Sequence, residues 1–221
     1  MGRDIAIDTP SGSIDAWRAD PEAAPHGALV VVQEIFGVNA HMRSVVDGYA
    51  AVGYVAVAPA FFDPVERGVE LGYDADGVSR GRDLVDALGL DAAVGIVDAT
   101  ARTLQKEGLK VGVVGFCWGG TVAFLSATRL GLPAVAYYGA RDVPFLDEPL
   151  RAPAMFHFGE RDKSIPPRDV ELHREKLPQA EVFTYPAGHG FNRDVDANVY
   201  DADSARLARK RTLDFFAGAL A

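Results

Sequence analysis

The stretch with the clearest chemical content is Val111-Gly112-Val113-Val114-Gly115-Phe116-Cys117-Trp118-Gly119-Gly120. A buried-strand pattern runs into a helix pattern across Gly115-x-Cys117-x-Gly119, a nucleophile elbow with cysteine at its tip. Glycines two positions either side let strand and helix approach closely, and the helix N-terminus beneath the sulfur favours a thiolate. The competing reading, a small buried thiol among packing glycines, suits an isolated cysteine better than one in this context. Gly115 and Gly120 also have phosphate-loop spacing, but Thr121 stands where that loop needs lysine.

A thiol nucleophile needs a base, and the base an orienting group. Of five histidines, only His189 lies in a glycine-flanked loop after a strand pattern, in Tyr185-Pro186-Ala187-Gly188-His189-Gly190-Phe191. His157 falls mid-strand and His173 mid-helix, which suits structural roles. Asp162 follows directly on a strand ending at Phe158, and Glu160 is its rival. The order nucleophile, acid, histidine, each beyond the end of a strand, is that of α/β-hydrolases, whose sheets bind ligands at that edge. A second cluster, Gln33-Glu34-Ile35-Phe36-Gly37-Val38-Asn39, follows another buried strand. It occupies the place from which such enzymes supply an oxyanion-hole amide, so the N–H groups of Ile35 and Trp118 are the candidates. Glu34 at a buried strand end needs a partner, either a structural ion pair or a role in the crevice. Arg193 is that partner or an anion anchor.

These residues need a scaffold, and the apolar pattern describes one. Arg3–Asp8 and Ser13–Arg18 alternate as a hairpin around Pro10-Ser11-Gly12, while 28–32, 54–58, 111–114, 133–138, 153–158 and 181–185 read as further strands. Helices are expected over 40–52, 78–88, 91–107, 118–129, 167–177 and 203–220, the last with Leu207, Leu213, Phe216 and Leu220 on its buried side. Residues 61–77 read as a long loop. The expected architecture is one α/β domain over residues 1–221: a mostly parallel sheet with helices on both faces and an antiparallel N-terminal edge hairpin.

The 22 basic against 31 acidic residues give a formal charge of −9, which argues against nucleic-acid binding. One cysteine excludes an internal disulfide, and with no histidine pair at ligand spacing no metal or cofactor is expected. The first twenty residues lack an apolar signal core, and no segment reaches the about 20 apolar residues of a membrane span. The expectation is a cytoplasmic protein, monomeric or weakly homo-oligomeric, with a small-molecule substrate.

The sequence resembles the dienelactone hydrolases (carboxymethylenebutenolidases) in Gln33–Asn39, Gly115–Gly120, Tyr137-Tyr138-Gly139, Ala187–Phe191 with Arg193, and Arg211-Thr212-Leu213-Asp214-Phe215. The likeness implies an α/β-hydrolase that opens an unsaturated, carboxylate-bearing lactone in aromatic-compound breakdown. It implies a Cys117–His189–Asp162 triad and an acyl-enzyme, with Glu34 holding the resting thiol until arginines take the substrate carboxylate. Phe36 and Arg193 would line the substrate site. Two departures bear on specificity. Gly190 stands where the family pattern has serine, and the helix carrying a further substrate arginine aligns poorly, which leaves Arg80 and Arg82 as anion binders or as solvated surface. A general carboxylesterase or thioesterase with the same triad is the alternative, and a non-catalytic thiol sensor lies outside that class.

Overall fold

In the computed structural model, which describes residues 2–221, the alternating N-terminal pattern forms strands β1 (Arg3–Thr9) and β2 (Gly12–Ala19). They pair antiparallel, with Ile7 opposite Ile14 on the buried side. Gly12 supplies the positive φ of 109° at the turn, a conformation that side chains resist. The chain divides into a unit ending at Gly112 and a unit from Val113 to Ala221.

In the first unit the strands lie in the order β1-β2-β4-β3. β3 (Ala28–Val32) and β4 (Val55–Pro59) are buried at every residue and parallel to each other, while β2 joins β4 antiparallel. Continuous apolar runs are what strands covered on both faces require. Helix α1 (Ala40–Ala50) packs on β2 and β4, and α3 (Leu90–Lys106) on β1, β3 and β4. Helix α2 (Ala75–Leu88) starts three residues before its apolar periodicity, because the Asp74 side chain caps it, accepting the Gly77 N–H at 2.8 Å. Mid-helix Gly95 in α3 has nothing within 4 Å of where a Cβ would stand. Gly95→Ala therefore raises stability by about 0.5–1 kcal/mol, read as a higher urea midpoint with unchanged slope.

β5 (Val111–Phe116), most of which falls in the second unit, is followed there by β6 (Ala134–Tyr137), β7 (Ala154–Gly159) and β8 (Glu181–Tyr185), parallel and adjacent in chain order. Register places Phe116, Tyr137, His157 and Phe183 side by side across all four. Helix α4 (Trp118–Arg129) packs on β6, α5 (Pro167–Lys176) on β8 and α6 (Ala202–Ala219) on β7. His157, fully buried and pushed down to about 3 by loss of solvent, is neutral. Tyr185 donates to its Nδ1 (2.8 Å), and its Nε2–H donates to Thr212 (3.0 Å), which ties α6 to β7 and β8. Tyr137 reaches the same Thr212 hydroxyl at 2.7 Å.

The fold is the expected mostly parallel α/β sheet with its antiparallel edge hairpin. One face was misread in part. Phe216 and Leu220 are buried as expected, but Leu207 is 40% exposed and Leu213 only partly buried, and α6 buries Ser204, Ala205, Ala208 and Thr212 as well. Small residues at four-residue spacing allow close approach to the sheet, so the larger leucine faces outward. Among the described residues no helix is long and apolar enough to cross a membrane.

Candidate active site

Cys117, Tyr138, Asp162 and His189 each follow one of the four parallel strands of the second unit, β5 to β8 in turn. Cys117 has φ 56° and ψ −120°. A non-glycine residue so placed carries about 1–3 kcal/mol of strain, which the surroundings must over-determine. They do so through backbone. The Cys117 N–H donates to the Tyr137 carbonyl at 3.0 Å, and the Gly120 N–H to the Cys117 carbonyl at 2.9 Å. A Cβ on Gly115 would stand 1.8 Å from the Gly119 oxygen, and one on Gly120 would stand 2.7 Å from the Tyr137 oxygen. The glycines are therefore steric requirements of the turn. The half-buried sulfur sits at the N-terminal end of α4, whose dipole favours negative charge there.

His189 Nε2 lies 3.1 Å from the Cys117 sulfur, and its Nδ1 2.7 Å from Asp162 Oδ2. The other Asp162 oxygen accepts the Ser164 N–H at 2.8 Å, which fixes the carboxylate's rotation. The Asp162 side chain is fully buried, whereas the rival Glu160 is exposed. Burial works against a charge on His189, but the adjacent sulfur and the Asp162 carboxylate outweigh it and push the imidazole up to about 10.

Tyr138 went unnoticed as a site residue in the sequence. Its φ of 41° is the second positive value outside glycine among the described residues. Its ring packs on His189 (5.0 Å between centroids) and edge-on to buried Phe191 (5.3 Å). The signal available was a bulky residue between a strand end and Gly139, which does not reveal a strained backbone.

Arg193 is 7% exposed, and its guanidinium lies 3.5 Å from Asp196. Gly190 has φ 75°, and a Cβ there would be 3.3 Å from an Arg193 nitrogen. A serine at 190 would thus be strained and would crowd that guanidinium.

The remaining candidates belong to the first unit. Glu34 is 1% exposed, directly beyond β3. Its neighbour Gln33 donates to the Glu34 carbonyl (3.2 Å) and accepts the Phe61 N–H (3.3 Å). Phe36 is buried edge-on to Tyr73 at 4.6 Å, and Tyr73 accepts a hydrogen bond from Asn39, the cap of α1. The 33–39 turn is therefore braced by the long loop after β4. Gly81 lets α2 touch this turn, since a Cβ would meet the Ile35 oxygen at 2.2 Å. Arg80 and Arg82 flank Gly81 and are exposed, with Arg80 bonded to Glu66. Among the described residues no three His, Cys, Asp or Glu side chains are grouped to hold a metal ion.

The dienelactone hydrolase family model matches residues 14–220. The chain is 36% identical to the carboxymethylenebutenolidase of Pseudomonas putida, over 96% of this chain and 95% of that one. It is 34% identical to a putative carboxymethylenebutenolidase of Synechocystis sp., over 96% and 94%. The crystal structure of a putative dienelactone hydrolase from Klebsiella pneumoniae superposes with a TM-score of 0.87 at 30% identity, over 98% of both chains.

Proposed function

The chain belongs to the dienelactone hydrolase family and is an ester or lactone hydrolase, and on that premise we propose that it opens small, carboxylate-bearing unsaturated lactones through a thioester on Cys117. The observation that carries the reading is the unbroken relay from sulfur to His189 (3.1 Å) to Asp162 (2.7 Å). In this account the sulfur gives its proton to His189 and attacks the lactone carbonyl. The oxyanion is assigned to the Trp118 and Ile35 amides, the type of donor that stabilises charge developing only in the transition state. Collapse breaks the ring C–O bond, and the imidazolium protonates the leaving oxygen, which stays within the opened molecule. Water then cleaves the thioester, with His189 taking its proton and returning one to sulfur. Asp162 holds the tautomer and stabilises the imidazolium. Glu34 is assigned the hold on the resting thiol that ends when substrate binds, and Arg193 and Phe36 the binding of substrate. Arg80 and Arg82 are assigned outer anion contacts from α2.

A panel of anionic lactones and neutral p-nitrophenyl esters tests the substrate class. The reading expects anionic lactones to be preferred, and Arg193→Gln to raise KM for them about 10- to 100-fold while sparing neutral esters. Faster turnover of neutral esters, with Arg193→Gln affecting both classes alike, would favour a general carboxylesterase instead.

The acylation step also has a predicted alkaline limit. The protonated form of His189 donates to the leaving oxygen and is lost as pH rises through about 10. For an alkyl ester, kcat/KM then falls with pH above that value. The same sign holds for folding: an imidazole raised from 6.5 to about 10 contributes stability in full below pH 6.5 and loses it through about 10. A pH–rate profile that declines already from pH 7 would contradict this.

A further inference from the structure

A second histidine–carboxylate pair lies in the same unit, away from the thiol. Thr121 is fully buried and Asp142 and His173 are 1% exposed. The Thr121 hydroxyl donates to one Asp142 oxygen and itself accepts the Arg141 N–H at 3.3 Å. The other Asp142 oxygen faces His173 Nε2 at 3.2 Å. His173 Nδ1 lies 2.7 Å from the Asp169 carbonyl. A carbonyl only accepts, so Nδ1 carries hydrogen, and the remaining contact with Asp142 needs a second proton. Phe156 and Phe158 stand edge-to-face with the His173 ring at 4.9 and 4.8 Å and hold its plane.

We propose that Asp142, held by the Thr121 hydroxyl on one side and by His173 on the other, is a positioning residue for the nucleophile elbow. The inference rests on the reading of Cys117 as nucleophile. Thr121 stands in the first turn of α4, four residues after Cys117. The Tyr137–Asp142 segment accepts the Cys117 N–H through the Tyr137 carbonyl and sets Tyr138 against His189. It touches α4 so closely that a Cβ on Gly120 would be 3.0 Å from the Gly139 nitrogen. A Cβ on Gly139 would be 2.9 Å from both Asp142 oxygens, so the carboxylate packs directly under this segment. Asp142 therefore fastens the platform beneath the elbow to α4 through Thr121. Through His173 it fastens that platform to α5, which begins five residues beyond Asp162. The three contacts brace the nucleophile and the acid against each other from outside the reacting centre.

The test combines nitrogen-15 spectra of the imidazole rings with the kinetics of Thr121→Val, Thr121→Ser and Asp142→Asn. The wild-type spectrum should place a hydrogen on His173 Nδ1, which faces a carbonyl, and Asp142→Asn should shift the Nε2 resonance; an Nε2 resonance unmoved by that change would overturn the Asp142–His173 contact. Thr121→Val and Asp142→Asn should lower kcat about 10- to 100-fold with KM nearly unchanged, as expected of a small misplacement of reacting groups. The rate of Cys117 alkylation by iodoacetamide should fall with it, and Thr121→Ser should restore both. Folded variants with wild-type kcat and alkylation rates would overturn the positioning role. Cys117 alkylation and the His173 spectrum are read without ester turnover. If Cys117→Ala left hydrolysis intact, the functional reading would fail while these two readouts stood or fell separately.

Discussion

His189→Ala should lower kcat/KM for a small ester or lactone on the order of 10,000-fold, about 5.5 kcal/mol of transition-state stabilisation, while leaving the protein folded. The size follows from the position of the ring. It is the group within reach of the Cys117 sulfur that is also oriented by a buried carboxylate. Its removal takes away the acceptor for the thiol proton and the donor for the leaving oxygen in one step. The fold should tolerate the change, because the side chain is 28% exposed and its backbone loop is held by other bonds. Asp162→Asn should approach the same loss by a different route. Its amide can present a donor where the ring needs an acceptor, turning the imidazole into the wrong tautomer. Steady-state kinetics at pH 7, with circular dichroism to establish folding, decides the matter. A folded His189→Ala protein within tenfold of wild type would remove His189 from the reaction.

Gly115→Ala is the second large effect, and it acts on stability first. The added methyl would stand 1.8 Å from the Gly119 oxygen and 2.3 Å from its carbonyl carbon. Both obstacles are backbone, so no rotamer change relieves them, and β5 and α4 must separate. Overpacking of this kind costs about 3 kcal/mol, which for a chain of this size lowers Tm by about 6–12 °C. The elbow opens in the process, so activity should vanish well below the unfolding temperature. Thermal denaturation of this variant beside Gly95→Ala makes the contrast direct. The same methyl is expected to stabilise where nothing lies within 4 Å. A Gly115→Ala protein with unchanged Tm and rate would show that the close approach at the elbow is not required.

The elements that position the site were legible where one physical signal dominated. β3 and β4 read as continuous apolar runs because both of their faces are covered. The elbow read clearly because its glycines answer to sterics that act within five residues. Asp162 and His189 could be placed by their order along the chain, since each sits at a strand end. What escaped notice depends on contacts between elements. The strained Tyr138 backbone is imposed by what packs around it, and nothing in its side chain announces it. Thr121, Asp142 and His173 come from three elements separated by 21 and 31 residues, and each alone suits a helix or a turn. In α6, helical periodicity found buried Phe216 and Leu220 but also pointed to Leu207 and Leu213, whereas the face against the sheet includes small residues and Thr212, whose hydroxyl serves His157 and Tyr137.

The central claim is that Cys117 forms a covalent thioester with the substrate. Mass spectrometry of a rapidly quenched single turnover, with enzyme in excess over a lactone or activated ester, tests it most directly. The account predicts that the peptide containing Cys117 gains the mass of the acyl group, and that the adduct persists longer in His189→Ala if acylation is forced with an activated ester. Turnover at full rate with no adduct on Cys117 at any quench time, retained in Cys117→Ala, would contradict it.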